Sequence, residues 1–172
     1  MGTFYGFTTK KQIVEELKRD RKIVKGKYVG NKYWFVAETT DPETEKPMRY
    51  IGLLLFSMSE KEWGYKPMEE MMGPYHYDCP VKFLEIAGEE CPSKYVWSRK
   101  WRDELVAHQE RAKRVLHVGD VIKVYDKEAV VISTPEGRDG YIIQSRETGK
   151  WYGLRKNQVA DCEIISRSVN NN

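Results

Sequence analysis

Tyr50-Ile51-Gly52-Leu53-Leu54-Leu55-Phe56-Ser57 is the most informative stretch of this chain. A strand with one wet face alternates apolar and polar residues, whereas Ile51, Leu53, Leu54, Leu55 and Phe56 run almost without interruption. The run is strand-sized and far short of the roughly 20 apolar residues that cross a membrane. It therefore reads as the central strand of a sheet covered on both sides. Working back toward the N-terminus, Lys32 to Thr39 and Lys22 to Val29 are two further strands, separated by Gly30-Asn31. The polar stretch from Asp41 to Pro47 joins the second strand to the third. The three form an antiparallel meander. Ahead of them, Thr8 or Thr9 caps a helix to about Arg19, with Ile13, Val14 and Leu17 as its apolar stripe. That helix is the simplest cover for one face of the sheet.

Beyond the central strand the period is lost. From Met58 to Asp78 the chain mixes Trp63, Tyr65, Tyr75 and Tyr77 with Gly64, Pro67, Gly73 and Pro74, and reads as a long loop able to carry a binding surface. Cys79 is placed to cap a helix that starts at Pro80 and continues through Val81, Phe83, Leu84 and Ile86. A second helix follows over Lys100 to Val115, with Trp101, Leu105, Ala112 and Val115 on its packing side.

From His117 the pattern changes to short strands: Val121 to Tyr125, Glu128 to Ser133, Gly140 to Ser145, Trp151 to Leu154 and Cys162 to Ile165. Turn residues at Asp126-Lys127, Pro135 to Asp139 and Glu147 to Lys150 separate them. Five strands at such close spacing favour a small SH3-like β-barrel, with an OB-like variant as the alternative. The fold class is therefore α+β. Residues 1–115 form an N-terminal helix with an antiparallel sheet and further helices, 116–169 form the small barrel, and 170–172 form a flexible tail.

Composition narrows the classes. With 40% hydrophobic residues the chain has material for a core, which a disordered chain lacks. The first nine residues lack the segments of a secretory signal, and three cysteines do not make a disulfide framework, so a cytoplasmic protein with reduced thiols is expected. A net charge of +3, from 29 basic and 26 acidic residues, is too small to diagnose a polyanion partner by itself, so charge placement must decide.

The block WGYKPMEEMMGPYHYDCP, Trp63 to Pro80, together with Trp101-Arg102 and the HVGDVI stretch from His117, resembles an uncharacterised family of small proteins encoded by bacteria and their phages. The resemblance covers residues 1 to 115 and is generic beyond them. It implies a phage or mobile-element origin and brings with it no reaction, cofactor or substrate. Fold and family do not assign chemistry.

Three constellations are candidates for binding. Trp63, Tyr65, Lys66, Tyr75 and His76 offer planar groups for base stacking with a cation beside them, unless the bends fold these rings into a local core. Lys18, Arg19, Lys22 and Lys25 belong to a basic run from the first helix into the hairpin, which is either a phosphate-facing ridge or an ordinary solvated face. Trp151 and Arg155 sit with Lys150, Tyr152 and Lys156 in the last module. Adjacent strand positions face opposite ways, so one of Trp151 and Tyr152 is expected in the core.

Catalytic readings are weaker. His76, Cys79 and Cys91, with His108 or Cys162 as a further ligand, have zinc-ligand chemistry without zinc-finger spacing, and a Cys79 nucleophile beside His76 lacks any sign of a lowered pKa or an oxyanion site. Glu69, Glu70 and Asp78 have no separation that assigns acid and base roles. No catalytic residue, metal or cofactor is assigned. The sequence favours a non-enzymatic phage accessory protein that regulates or inhibits a host protein or nucleoprotein by binding it, with no membrane partner. The alternatives are a module that binds DNA or RNA, and a small cysteine- or carboxylate-dependent enzyme.

Overall fold

The structure is a computed structural model that describes residues 5–70 and 76–169, the side chains of 65–68 excepted. The chain divides into two compact units, 1–106 and 107–172. Both are built on antiparallel sheets, and the fold is α+β with an N-terminal helix.

In the first unit α1, Lys10–Asp20, is started by Thr9. The Thr9 Oγ1 accepts the Gln12 amide at 3.3 Å, and the Gln12 Oε1 accepts the Thr9 amide at 3.1 Å. This reciprocal capping box satisfies two donors that a helix start leaves open. Three meander strands follow: β1 (Lys22–Val29), β2 (Lys32–Thr40) and β3 (Pro47–Ser57). A fourth strand, β4 (Glu62–Glu69), completes the order β1-β2-β3-β4. This strand corrects the expectation of a loop from Met58 to Asp78. Gly64 and Pro67 hide it in the sequence, and an edge position tolerates a proline that a central strand would not. The free side of β4 is engaged at Trp63, whose carbonyl accepts the Tyr5 amide at 3.2 Å and whose amide donates to the Phe7 carbonyl at 2.8 Å.

Strand alternation sends β2 and β3 side chains to two cores. Tyr33, Phe35, Ala37, Tyr50 and Leu54 join Ile13 and Leu17 of α1, with Trp63 and Tyr95. On the other face Trp34, Val36, Ile51 and Leu53 pack with Cys79 and with two further helices, α2 (Lys82–Ala87) and α3 (Ser98–Ala112). The apolar run around Leu54 is thus covered on both sides, as its composition requires. Gly52 breaks the run because a Cβ there would overlap the fully buried Phe35 ring. Cys79 does not cap α2. The N-cap is Val81, without a side-chain cap, and Cys79 is completely buried in the second core, which suits a small apolar thiol.

The division between the units falls inside α3. In the second unit, Arg111 donates to the Ala160 carbonyl at 3.1 Å, and Arg114 donates to those of Val159 and Cys162 at 2.9 and 2.6 Å. Its strands are β5 (Val121–Val124), β6 (Lys127–Ser133), β7 (Gly140–Ser145), β8 (Trp151–Arg155) and β9 (Glu163–Ser166), in the order β8-β7-β6-β5-β9. A 3-10 helix, Lys156–Asp161, lies between β8 and β9. Among the described residues the sheet is open, with β8 and β9 at its edges. Its core is Leu116, Ile122, Val131, Tyr141, Ile143, Leu154 and Val159 with their neighbours.

Candidate macromolecule-binding surface

The basic run of the first unit is solvent-exposed and partly neutralised. Lys18 and Lys25 are exposed and make no ion pair among the described residues. Arg19 is held by Glu16 at 3.0 Å and Lys22 by Glu38 at 2.5 Å. Such exposed pairs contribute little to stability, but they lower the local charge that a phosphate would meet. Sequence could place the cations and could not place Glu38, which reaches Lys22 across the β1–β2 ladder.

The central block folds inward. Trp63 is only 3% exposed, with its ring edge-on to Tyr28 and Phe56 at centroid distances of 5.7 and 5.4 Å. Buried in this way it offers no stacking face, which corrects that candidate. Tyr65 and Lys66 lie in β4, and their side chains fall outside the description; Tyr75 lies outside the described residues altogether. His76 is half-buried, and its carbonyl accepts the Trp101 indole N–H at 3.1 Å. Burial, with the nearby Lys32 ammonium, lowers its imidazole pKa and favours the neutral ring. Its Nε2 has no hydrogen-bond partner among the described residues.

Glu70 and His76 meet Trp101-Arg102 in space. Trp101 stacks on Trp34 at 5.9 Å, and Arg102 binds Glu70. These residues hold the fold together. Cys79 is equally structural: burial pushes its thiol far above the ordinary range, so almost no thiolate exists near neutral pH. Among the described residues no three His, Cys, Asp or Glu side chains are grouped to hold a metal ion, and no helix is long and apolar enough to cross a membrane.

The second sheet presents what the central block does not. Trp151 is 63% exposed and Tyr152 50% exposed, so neither is core. The expectation that one would be buried fails because β8 is an edge strand on which Leu154 alone is buried. The two rings still point to opposite faces, as alternation demands. On the Trp151 face the pairings Val121↔Val130, Val130↔Gln144 and Gln144↔Trp151 make one row across four strands. Directly paired residues share a face, and every member of this row is at least partly exposed. With neighbouring strands roughly 4.8 Å apart, the row spans about 15 Å. Lys150, Arg155 and Lys156 flank it, all exposed, and no acidic residue occurs from 150 to 160.

On the Tyr152 face is a cleft of about 390 Å³ floored by Val124, Ala129, Ile143 and Leu154, with Tyr125 and Tyr152 at its mouth. Tyr125 was hidden in the sequence as the last residue of an expected strand. Comparison with protein-family models, with curated proteins and with solved structures returned no match for this chain.

Proposed function

We propose that this protein is a non-enzymatic accessory factor of a phage or mobile element that binds a host nucleoprotein in the cytoplasm and regulates or inhibits it. Nucleic acid would meet the Trp151 face of the second unit. The single observation that carries this reading is the exposed Trp151 ring on an edge strand, beside Lys150, Arg155 and Lys156. An exposed aromatic with cations around it is the arrangement that stacks a base while holding phosphate. The phage setting rests on the resemblance of the central block. The cytoplasmic setting rests on the sequence, whose three cysteines do not make a disulfide framework.

We further propose that the second unit is a small SH3-like barrel. Two features support it: β5 lies between β6 and β9 in the sheet, and the 3-10 helix delivers the chain from β8 to β9. Register shifts between Val131 and Ser133 and between Val121 and Ile122 supply the bends such a barrel needs.

Fluorescence anisotropy of the full chain with labelled single- and double-stranded DNA and RNA tests the function. Binding should fall steeply with salt, because neutralised phosphates release counterions. Trp151→Ala should weaken it by roughly fivefold to a hundredfold, the range of one lost base stack. Absence of binding to all four probes at low salt would sink the nucleic-acid half of the reading.

A further inference from the structure

The turn between β5 and β6 breaks a local rule. Tyr125 and Asp126 both have positive φ, 49° and 63°, and are flanked by the Val124↔Lys127 pair. This is the geometry of a two-residue hairpin turn that favours Asn-Gly, because a Cβ is strained there. A tyrosine is among the least suited residues for it. Packing does not offset the strain, since Tyr125 is 72% exposed. Its ring instead stands at the mouth of the cleft, together with Tyr152.

Charge in the cleft differs from that of the Trp151 face. Glu128 and Glu147 line it with a single cation, Lys127. Glu128 is paired with Arg146 at 2.9 Å, while Glu147 makes no ion pair among the described residues. Carboxylates repel a phosphate chain, and the aliphatic floor of Val124, Ala129, Ile143 and Leu154 suits side chains rather than a nucleic-acid backbone. Two phenol rings beside a carboxylate without a partner favour a cation, through the negative faces of the rings and by direct attraction.

We infer that this cleft is a peptide-binding site for an extended segment of a protein partner that carries a lysine or arginine. The apolar part of the segment lies on the aliphatic floor, and its cationic group meets Tyr125, Tyr152 and Glu147. The site lies on the opposite face of β8 from Trp151, so it goes beyond the nucleic-acid reading and can stand or fall without it.

The test uses the full chain, 15N-labelled, titrated with three capped Ala-Pro nonapeptides that carry Arg, Gln or Glu at the centre. The Arg peptide should shift the amides around Tyr125, Glu147 and Tyr152 at about 1 mM or below, the Gln peptide should bind more weakly, and the Glu peptide should not bind. Tyr125→Gly removes the ring and relieves the turn, so it should weaken Arg-peptide binding by roughly fivefold while leaving the melting temperature unchanged or raised. Glu147→Gln should erase the preference for Arg over Gln. Trp151→Ala should leave peptide binding unchanged. The inference is overturned if the Arg peptide causes no shifts, if all three peptides bind alike, or if Tyr125→Gly binds as well as the parent protein.

Discussion

Arg102 holds Glu70 by two parallel hydrogen bonds, Nε to Oε2 at 2.9 Å and Nη2 to Oε1 at 2.6 Å, with both side chains buried. Both ions make further hydrogen bonds. Arg102 Nη1 donates to the Gly88 carbonyl at 2.7 Å, and Glu70 Oε1 also accepts the Ile51 amide at 2.7 Å. Ser98 donates its hydroxyl to Glu70 Oε2. The pair therefore ties the end of β4 to α3 and to the turn after α2. These additional hydrogen bonds are what make a buried ion pair tolerable, because each ion costs several kcal/mol to desolvate.

Removing one partner should be far worse than removing both. Glu70→Gln or Arg102→Met should destabilise the protein by about 3–5 kcal/mol, since the remaining charge is buried alone. The double variant Glu70→Gln with Arg102→Met should lose less than the sum of the two. Urea denaturation of the three variants gives the coupling energy, and strict additivity would mean that the pair does not act as a unit.

Asp41 gives the first unit an acid-sensitive latch. It is 1% exposed and accepts the Ser93 amide at 2.8 Å, the Thr44 amide at 3.0 Å, the Glu43 amide at 2.9 Å and the Ser93 hydroxyl at 3.0 Å. These donors, the Ser93 amide foremost, hold its carboxyl well below the ordinary 3.8. The folded state therefore binds fewer protons than the unfolded state. The stabilisation is complete above the ordinary value and is lost as pH falls from there toward the lower folded value. Asp41→Asn should flatten the acid limb of a stability–pH curve measured from pH 2 to 6. An unchanged limb would assign the sensitivity to other carboxylates.

The five tryptophans differ sharply in what they do, and two of them make a direct comparison. Trp63→Ala should cost about 3–5 kcal/mol by opening a cavity under Tyr28 and Phe56. Trp151→Ala should change stability by no more than about 0.5 kcal/mol, because the ring is largely in water. Thermal melts of both variants decide the point. A large loss from Trp151→Ala would show that its ring packs against something and would move the binding surface elsewhere.

What the sequence disclosed follows from periodicity. The apolar run around Leu54, the stripe of Ile13 and Leu17, and the alternation of Tyr141 and Ile143 each encode burial locally, so the elements carrying them were legible. The strand β4 was not, because Gly64 and Pro67 imitate a loop and its pairing partners lie in β3. Contacts across long separations leave no local mark. Nothing near Glu70 announces Arg102, 32 residues away. The stacking role offered for Trp63 and the burial expected of one of Trp151 and Tyr152 fail for the same reason: a pattern shows which residues are apolar, while edge or centre is a property of the assembled sheet. Tyr125 had a local signal that was available, an aromatic beside Asp126 between two strands, but only the backbone angles reveal that the turn runs through both.

The cysteines supply the last test, which also bears on catalysis. Cys79 is completely buried and its thiol is pushed far up, first by desolvation and then by the neighbouring Asp78 and Glu70 carboxylates. Cys162, 4% exposed, is pushed up to about 11, again chiefly by burial. Cys91 is only half-buried. Thiolate is the reactive form, and burial suppresses it at Cys79 and Cys162, so exposure singles out Cys91. Titration of the native protein with a chromogenic disulfide near pH 8 should therefore show one fast thiol and two that wait for local opening, and all three should react at once in denaturant. Mass mapping of the fast adduct should find it on Cys91. If Cys79 reacted as quickly as Cys91, the core beside Trp101 would have to open readily, and a nucleophilic role for that thiol would regain support. Cys79→Ser is the companion variant. It should lose stability through a buried hydroxyl in an apolar site and, wherever it stays folded, bind nucleic acid as the parent chain does, since the Trp151 face is untouched.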